Sequence, residues 1–206
     1  MPTSPVIGTA VVSAEVRRQE ILDRLADHVL AYGLEASSLR PLAAAAGTSD
    51  RMLLYYFADK AALLAAVLEH ATQRLADALA RSAPAAPQPY NELLNTIWKI
   101  VGGKALRPYM RLWLDIAARA ARDEPPYKAV GGQIAQGFLG WIGSLLVVGN
   151  AQLRGVQAAR LLLHIEGLLV LEAVGLDDVI DMTLQPMQPP PAQQRSASRS
   201  TSRKRR

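Results

Sequence analysis

Cysteine is absent from this 206-residue chain, which excludes disulfide frameworks, thiolate metal sites and cysteine nucleophiles together. Aromatic residues are scarce, at 5%, so leucine and 34 alanines must do most of the packing, and alanine favours helix. No strict apolar–polar alternation runs beyond a few residues, so strands have no support. The three histidines, His28, His70 and His164, are too scattered for metal-ligand spacing. No phosphate-binding glycine loop and no nucleophile–base pair stands out, which argues against an enzyme and implies no cofactor. No basic region opens residues 1–12, so no export signal is expected. The longest uncharged stretch, 129–153, is interrupted by Gln133, Gln136, Asn150 and Gln152. Its apolar heart, Gly137 to Gly149, is 13 residues, too short to span a bilayer. A cytoplasmic protein without a membrane partner is the expectation.

What charge there is lies unevenly. The formal net charge is +5, but Arg195, Arg199, Arg203, Lys204, Arg205 and Arg206 sit in a proline- and serine-rich tail without acids. Without these six the body carries 17 bases against 18 acids. The tail, 188–206, has no core-forming residues and reads as a disordered basic segment with nonspecific attraction for nucleic acid.

Helical spacing fills the rest. A first helix is expected from Glu15 to Tyr32, with Ile21, Leu22, Leu25, Val29 and Tyr32 on one stripe and Gly33 as its stop. Ser38 can cap a short helix, Leu39 to Ala46, which Gly47 ends. Ser49 can cap the next, with Asp50 at its positive end, and Asp59 a longer one reaching Arg81. A proline-rich break spans 82–89, and further helices fit 90–101, 105–121, 126–148, 155–174 and 177–185. The fold class is all-α.

Ser38–Tyr56 is a helix-turn-helix pattern: two short helices joined by a small glycine-bearing turn. Ala43, Ala45 and Ala46 permit close approach, and Gly47 supplies the bend. The start of the second helix is free to enter a major groove, while neighbouring hydroxyls and cations can grip phosphates. The segment 13–60 holds six bases and seven acids, so an electrostatic footprint requires its cations on one face.

The wider run is more specific. Arg17-Arg18-Gln-Glu-Ile21-Leu22 precedes Gly33, then Ser38-Leu39-Arg40-Pro41-Leu42-Ala43 and Ala46-Gly47-Thr48-Ser49. Leu53-Leu54-Tyr55-Tyr56-Phe57-Ala58-Asp59-Lys60 and Leu63-Leu64 close it. Over residues 15–65 this resembles the DNA-binding domain of the TetR family of transcriptional repressors. The resemblance implies an N-terminal three-helix domain that binds double-stranded operator DNA, followed by a larger helical domain for effector binding and dimerisation. Its boundaries would be a flexible arm at 1–12, the DNA-binding domain at 13–60, the larger domain at 61–187 and the tail at 188–206. It carries DNA contact onto Ser38, Arg40, Thr48, Ser49, Asp50, Arg51, Met52, Tyr55, Tyr56 and Lys60, with Lys60 on phosphate. Leu54 stands where many members have tyrosine, and Pro41 replaces a common acidic residue.

The resemblance further implies an effector cavity in the larger domain. Trp98, Tyr109, Trp113, Phe138, Trp141 and His164 are its candidate lining, and such aromatics suit a small apolar or aromatic effector. It also places a two-fold, four-helix dimer interface on the last two long helices. Leu145, Leu161, Leu162, Ile165, Leu168 and Leu169 are the candidates there, with Gly137, Gly140 and Gly143 permitting close contact. The implied function is a homodimeric repressor released from a palindromic operator by its effector. The competing reading is a helical adaptor that binds protein, against which Arg51, Tyr55 and Lys60 argue.

Overall fold

A computed structural model describes residues 6–185, with side chains from residue 15, so the basic tail lies outside the described residues. Nine helices occupy the described chain: α1 Val6–Tyr32, α2 Leu39–Ala46, α3 Asp50–Tyr56, α4 Lys60–Ser82, α5 Tyr90–Val101, α6 Arg107–Ala120, α7 Tyr127–Ser144, α8 Ala151–Ala173 and α9 Asp177–Leu184. Helix α1 starts nine residues before the expected Glu15, so the segment expected as an arm is helical from Val6. Among the described residues, no helix is long and apolar enough to cross a membrane.

Two apolar cores organise these helices. The first gathers Ile21, Leu22, Leu25, Ala26 and Val29 of α1 around Leu42 and Ala46 of α2, Leu53 of α3 and Phe57. It does not stop at residue 60. Leu63, Leu64, Val67, Leu68 and Ala71 of α4 continue it, as do Leu112 and Ile116 of α6 and Tyr127 and Val130 of α7. The second core joins Leu93 and Ile97 of α5 to Ile142 of α7, Leu161, Ile165 and Leu168 of α8, and Ile180 of α9. Tyr32, expected on the buried stripe of α1, is instead exposed beyond the last turn that packs. The proline-rich break is tied down by Gln88, whose N–H donates to Leu145 O at 2.8 Å and whose carbonyl accepts from Val147 N at 3.0 Å.

Polar contacts bind α1 and the loop after it to the larger helices. His70 Nε2 of α4 lies 2.6 Å from Asp23 Oδ1 of α1, and Arg74 Nη2 lies 2.8 Å from Asp27 Oδ1. Asp115 of α6 accepts from Leu34 N at 3.0 Å through Oδ2 and from Arg119 Nε at 3.1 Å through Oδ1. Arg119 also donates to Glu35 at 3.2 Å and Glu124 at 3.3 Å, and its guanidinium stands 5.5 Å from the Tyr127 ring centre.

Candidate nucleic-acid interface and effector cavity

The turn between α2 and α3 follows from Gly47. Its φ of +66° lies in the left-handed region, which glycine enters without steric cost. There Thr48 N donates to Ala43 O at 3.0 Å and Gly47 N to Ala44 O at 3.1 Å, satisfying the last carbonyls of α2 as a Schellman motif does. Arg24 Nη1 donates to Ala46 O at 3.2 Å, so α1 also caps this end. Ser49 then caps α3, its hydroxyl accepting from Met52 N at 3.3 Å, and Asp59 caps α4, accepting from Ala62 N at 2.7 Å. Ser38 occupies the N-cap position of α2 with extended backbone, but its side chain makes no capping hydrogen bond.

Helix α3 is anchored on one side and open on the other. Leu53 is 0% exposed and Phe57 is buried, whereas Ser49, Asp50, Arg51, Met52 and Leu54 are exposed and Tyr55 is 77% exposed. Ser49, Arg51, Met52, Leu54 and Tyr55 line one shallow surface depression. Tyr56 packs half-buried against the first core, its ring edge-on to Tyr55 at 5.4 Å between centres. Ser38, Arg40 and Lys60 are exposed at helix starts, and Thr48 is half-buried in the turn. Arg18 sits 5.2 Å from the Phe57 ring centre, which ties α1 to the end of α3.

The larger helices form a partly open cavity with about 160 Å³ of accessible space between α4, α6, α7 and α8. Trp113, Phe138 and Trp141, three of the candidate lining residues, border it with Met110, Leu75, Leu79, Ile134 and Leu169. Phe138 and Trp141 are stacked, 5.4 Å apart with 19° between planes. The other expected lining residues lie elsewhere. Trp98 borders a separate surface pocket near Gly102, Glu172 and Asp181. Tyr109 does not reach the cavity, and exposed His164 pairs through Nδ1 with the Tyr90 hydroxyl at 2.7 Å. These three sit on helices that also line or adjoin the cavity, but on other faces of them.

Sequence reasoning missed Thr72 and Gln133 as lining residues, and saw Glu166 only as a polar interruption of an apolar run. That interruption was the available signal. Glu166 Oε2 accepts from Trp113 Nε1 at 2.7 Å. Burial pushes its carboxyl above the usual carboxylate range, and the indole hydrogen bond opposes that shift only in part.

Helix α8 has two apolar faces. Leu161, Ile165, Leu168 and Leu169, with Leu145 after α7, are buried inside the protomer, and Leu162 packs on the same core. Of the expected interface residues, Leu145, Leu161, Ile165, Leu168 and Leu169 thus pack within the protomer, and Leu162 is half-buried. The outward face carries Leu153, Val156, Leu163 and Val170, continued by Val174 at the C-cap, with Leu163 70% exposed. Together with Arg160 and Gly167, these positions alternate three and four residues apart, the spacing of a helix-pairing seam. On α7, added methyl groups at Gly132, Gly137 and Gly140 would meet open space, whereas Gly143 faces Ala158 of α8.

Residues 21–67 match the family model described as bacterial regulatory proteins, tetR family. The chain is 28% identical over 118 residues to the HTH-type transcriptional regulator BetI of Escherichia coli O45:K1, strain S88 / ExPEC. The match covers 55% of this chain and 60% of that protein. BetI of E. coli strain K12 / DH10B is 27% identical over the same length. The chain thus spans about 60% of the length of the curated relatives it matches. A crystal structure of a transcriptional regulator from Rhodococcus sp. Rha1 shares the fold, with a TM-score of 0.61 and 21% identity over 78% of this chain and 85% of that one. The helix-turn-helix geometry and the matched segment coincide, and residues 21–67 are a DNA-binding segment of the type found in the tetR family of bacterial regulatory proteins.

Proposed function

We propose that this protein is a transcriptional regulator that binds operator DNA as a homodimer through α3 and is released by a small effector held between α4, α6, α7 and α8. The observation that carries the reading is the exposed edge Ser49–Tyr55, held out from the body by buried Leu53 and Phe57. Arg51, Met52 and Tyr55 stand where a helix lying in the major groove meets base edges. Lys60, Ser38 and Arg40, exposed at neighbouring helix starts, suit phosphate oxygens. The family resemblance favours repression over activation.

The second copy would pack on the outward face of α8 and on α7 beside Gly132 and Gly140. This face supplies a long apolar stripe, and a two-fold axis would pair it with itself. The effector acts by population shift: it favours a dimer whose two α3 helices no longer match major grooves one turn, about 34–36 Å, apart. The cavity has two rigid links to the DNA-binding segment. Helix α4 carries Thr72 and Leu75 at the cavity and His70 and Arg74 against α1. Helix α6 carries Met110 and Trp113 at the cavity and Asp115 and Arg119 against the α1–α2 loop.

Selection of binding sites from random duplexes tests the reading, with light scattering on the same preparation. Two inverted half-sites bound by a dimer are expected. Failure to enrich any sequence, or a lone half-site bound by a monomer, would refute it.

A further inference from the structure

Glu166 gives the cavity a sign. Among its lining residues only Thr72, Trp113, Gln133 and Glu166 carry polar side-chain atoms. Thr72 spends its hydroxyl proton on Leu68 O at 2.7 Å, and Trp113 spends its N–H on Glu166 Oε2. No cation among the described residues stands near Glu166; burial and the indole are all that act on it. Beside the indole bond to Oε2, no second hydrogen bond engages Glu166 among the described residues, and its other oxygen is not sealed from solvent, so an ammonium entering the cavity can donate to it. Across the same space the stacked rings of Phe138 and Trp141 offer π surface, which attracts an organic cation and packs against its apolar part. An anion would meet a carboxyl group and no cation. The accessible space of about 160 Å³ is enough for a single ring, as an apolar cavity of about 150 Å³ takes one benzene.

We propose that this cavity selects a small monocationic amine carrying one apolar group of about a single ring, with the ammonium on Glu166 and the apolar group against Phe138, Trp141 and Met110. The inference rests on the cavity being the effector site, and its test separates the two. Benzylammonium, benzyl alcohol and benzoate share one ring and differ in charge. Titrated into the full chain at pH 7, they are read by calorimetry and by tryptophan fluorescence. Benzylammonium is expected to bind at least about tenfold more tightly than benzyl alcohol, the effect of one charge-assisted hydrogen bond, and benzoate not to bind. Glu166→Gln keeps an acceptor for Trp113 and removes the charge. It should bring benzylammonium down to the alcohol while leaving the alcohol within about twofold. Equal affinity of wild-type protein for benzylammonium and benzyl alcohol overturns the proposal and leaves the effector cavity standing. Binding of none of the three overturns the effector cavity as well. The wild-type series decides even if the variant does not fold.

Discussion

Replacing Gly47 separates two contributions to the helix-turn-helix bend. In Gly47→Ala, the backbone at φ +66° must hold an L-residue, which costs about 1–2 kcal/mol. The new methyl group also stands 3.0 Å from Arg24 Nη1, so the guanidinium must give by a few tenths of an ångström and its hydrogen bond to Ala46 O is stretched or lost. That hydrogen bond is partly solvated, so its loss is worth no more than about 1 kcal/mol. Alanine restricts the unfolded chain and returns about 0.4–1 kcal/mol. The net expectation is a loss of about 1–2 kcal/mol. For a chain of this size that lowers Tm by roughly 2–8 °C. Gly47→Asn displaces Arg24 in the same way but tolerates the left-handed region, so it should lose less. The Ala–Asn difference therefore reads the backbone strain, and the difference between Asn and wild type reads Arg24. Calorimetric scans of the three proteins give Tm, and titration of selected operator DNA gives affinity. Both variants should bind more weakly than stability alone explains, because the turn sets the direction of α3. Equal Tm for Ala and Asn would refute the strain argument, and wild-type Tm in both would show that the turn does not depend on glycine.

Lys60→Ala should weaken binding to every DNA sequence alike and reduce the slope of log affinity against log salt by about 0.9 per lost phosphate contact, measured by titration across salt concentrations. A change in base preference with unchanged affinity would contradict a phosphate contact. Leu163→Glu with Val170→Glu, both on exposed positions, should yield a folded monomer by light scattering, whereas Leu161→Ala should cost the protomer about 2–5 kcal/mol in urea unfolding. A double variant that stays dimeric removes the α8 face from the interface. Glu166 holds its proton in the folded state to higher pH than in the unfolded chain, so its contribution to stability falls as pH rises from the ordinary carboxylate pKa, about 4.3, to the raised folded value. Glu166→Gln should therefore gain on wild type across that window and keep the gain above it, and a pH-independent difference in urea unfolding would oppose this sign.

Local signals made the DNA-binding segment legible. Gly47, Ser49 and Asp59 act within four residues of themselves, and the helix ends fall at or beside the expected positions. Helix α8 was legible as a helix, but its faces were not. Leu161 and Leu163 are equally apolar and differ only in what the fold brings opposite them. The cavity was half legible for the same reason. Trp113, Phe138 and Trp141 converge, and Trp98 turns to another side of α5, a choice made by helix packing and not by spacing. The start of α1 at Val6 was missed because residues 6–14 carry no charged residue and no polar face before Glu15 to mark an amphipathic helix.

The continuity of the first core bears on how this protein can be recombined. A chimaera joined after residue 60 would leave Leu42, Leu53 and Phe57 without Leu63, Leu64, Leu112, Ile116 and Val130, and Leu34 N without Asp115. The foreign body would have to supply the same apolar relief and a carboxylate at the same height on its third helix. A junction in sequence is thus not a joint in space. To transplant the DNA specificity of α3, the economical graft is the exposed edge alone, Arg51, Met52, Leu54 and Tyr55, leaving Leu53 and Phe57 as the native rivets.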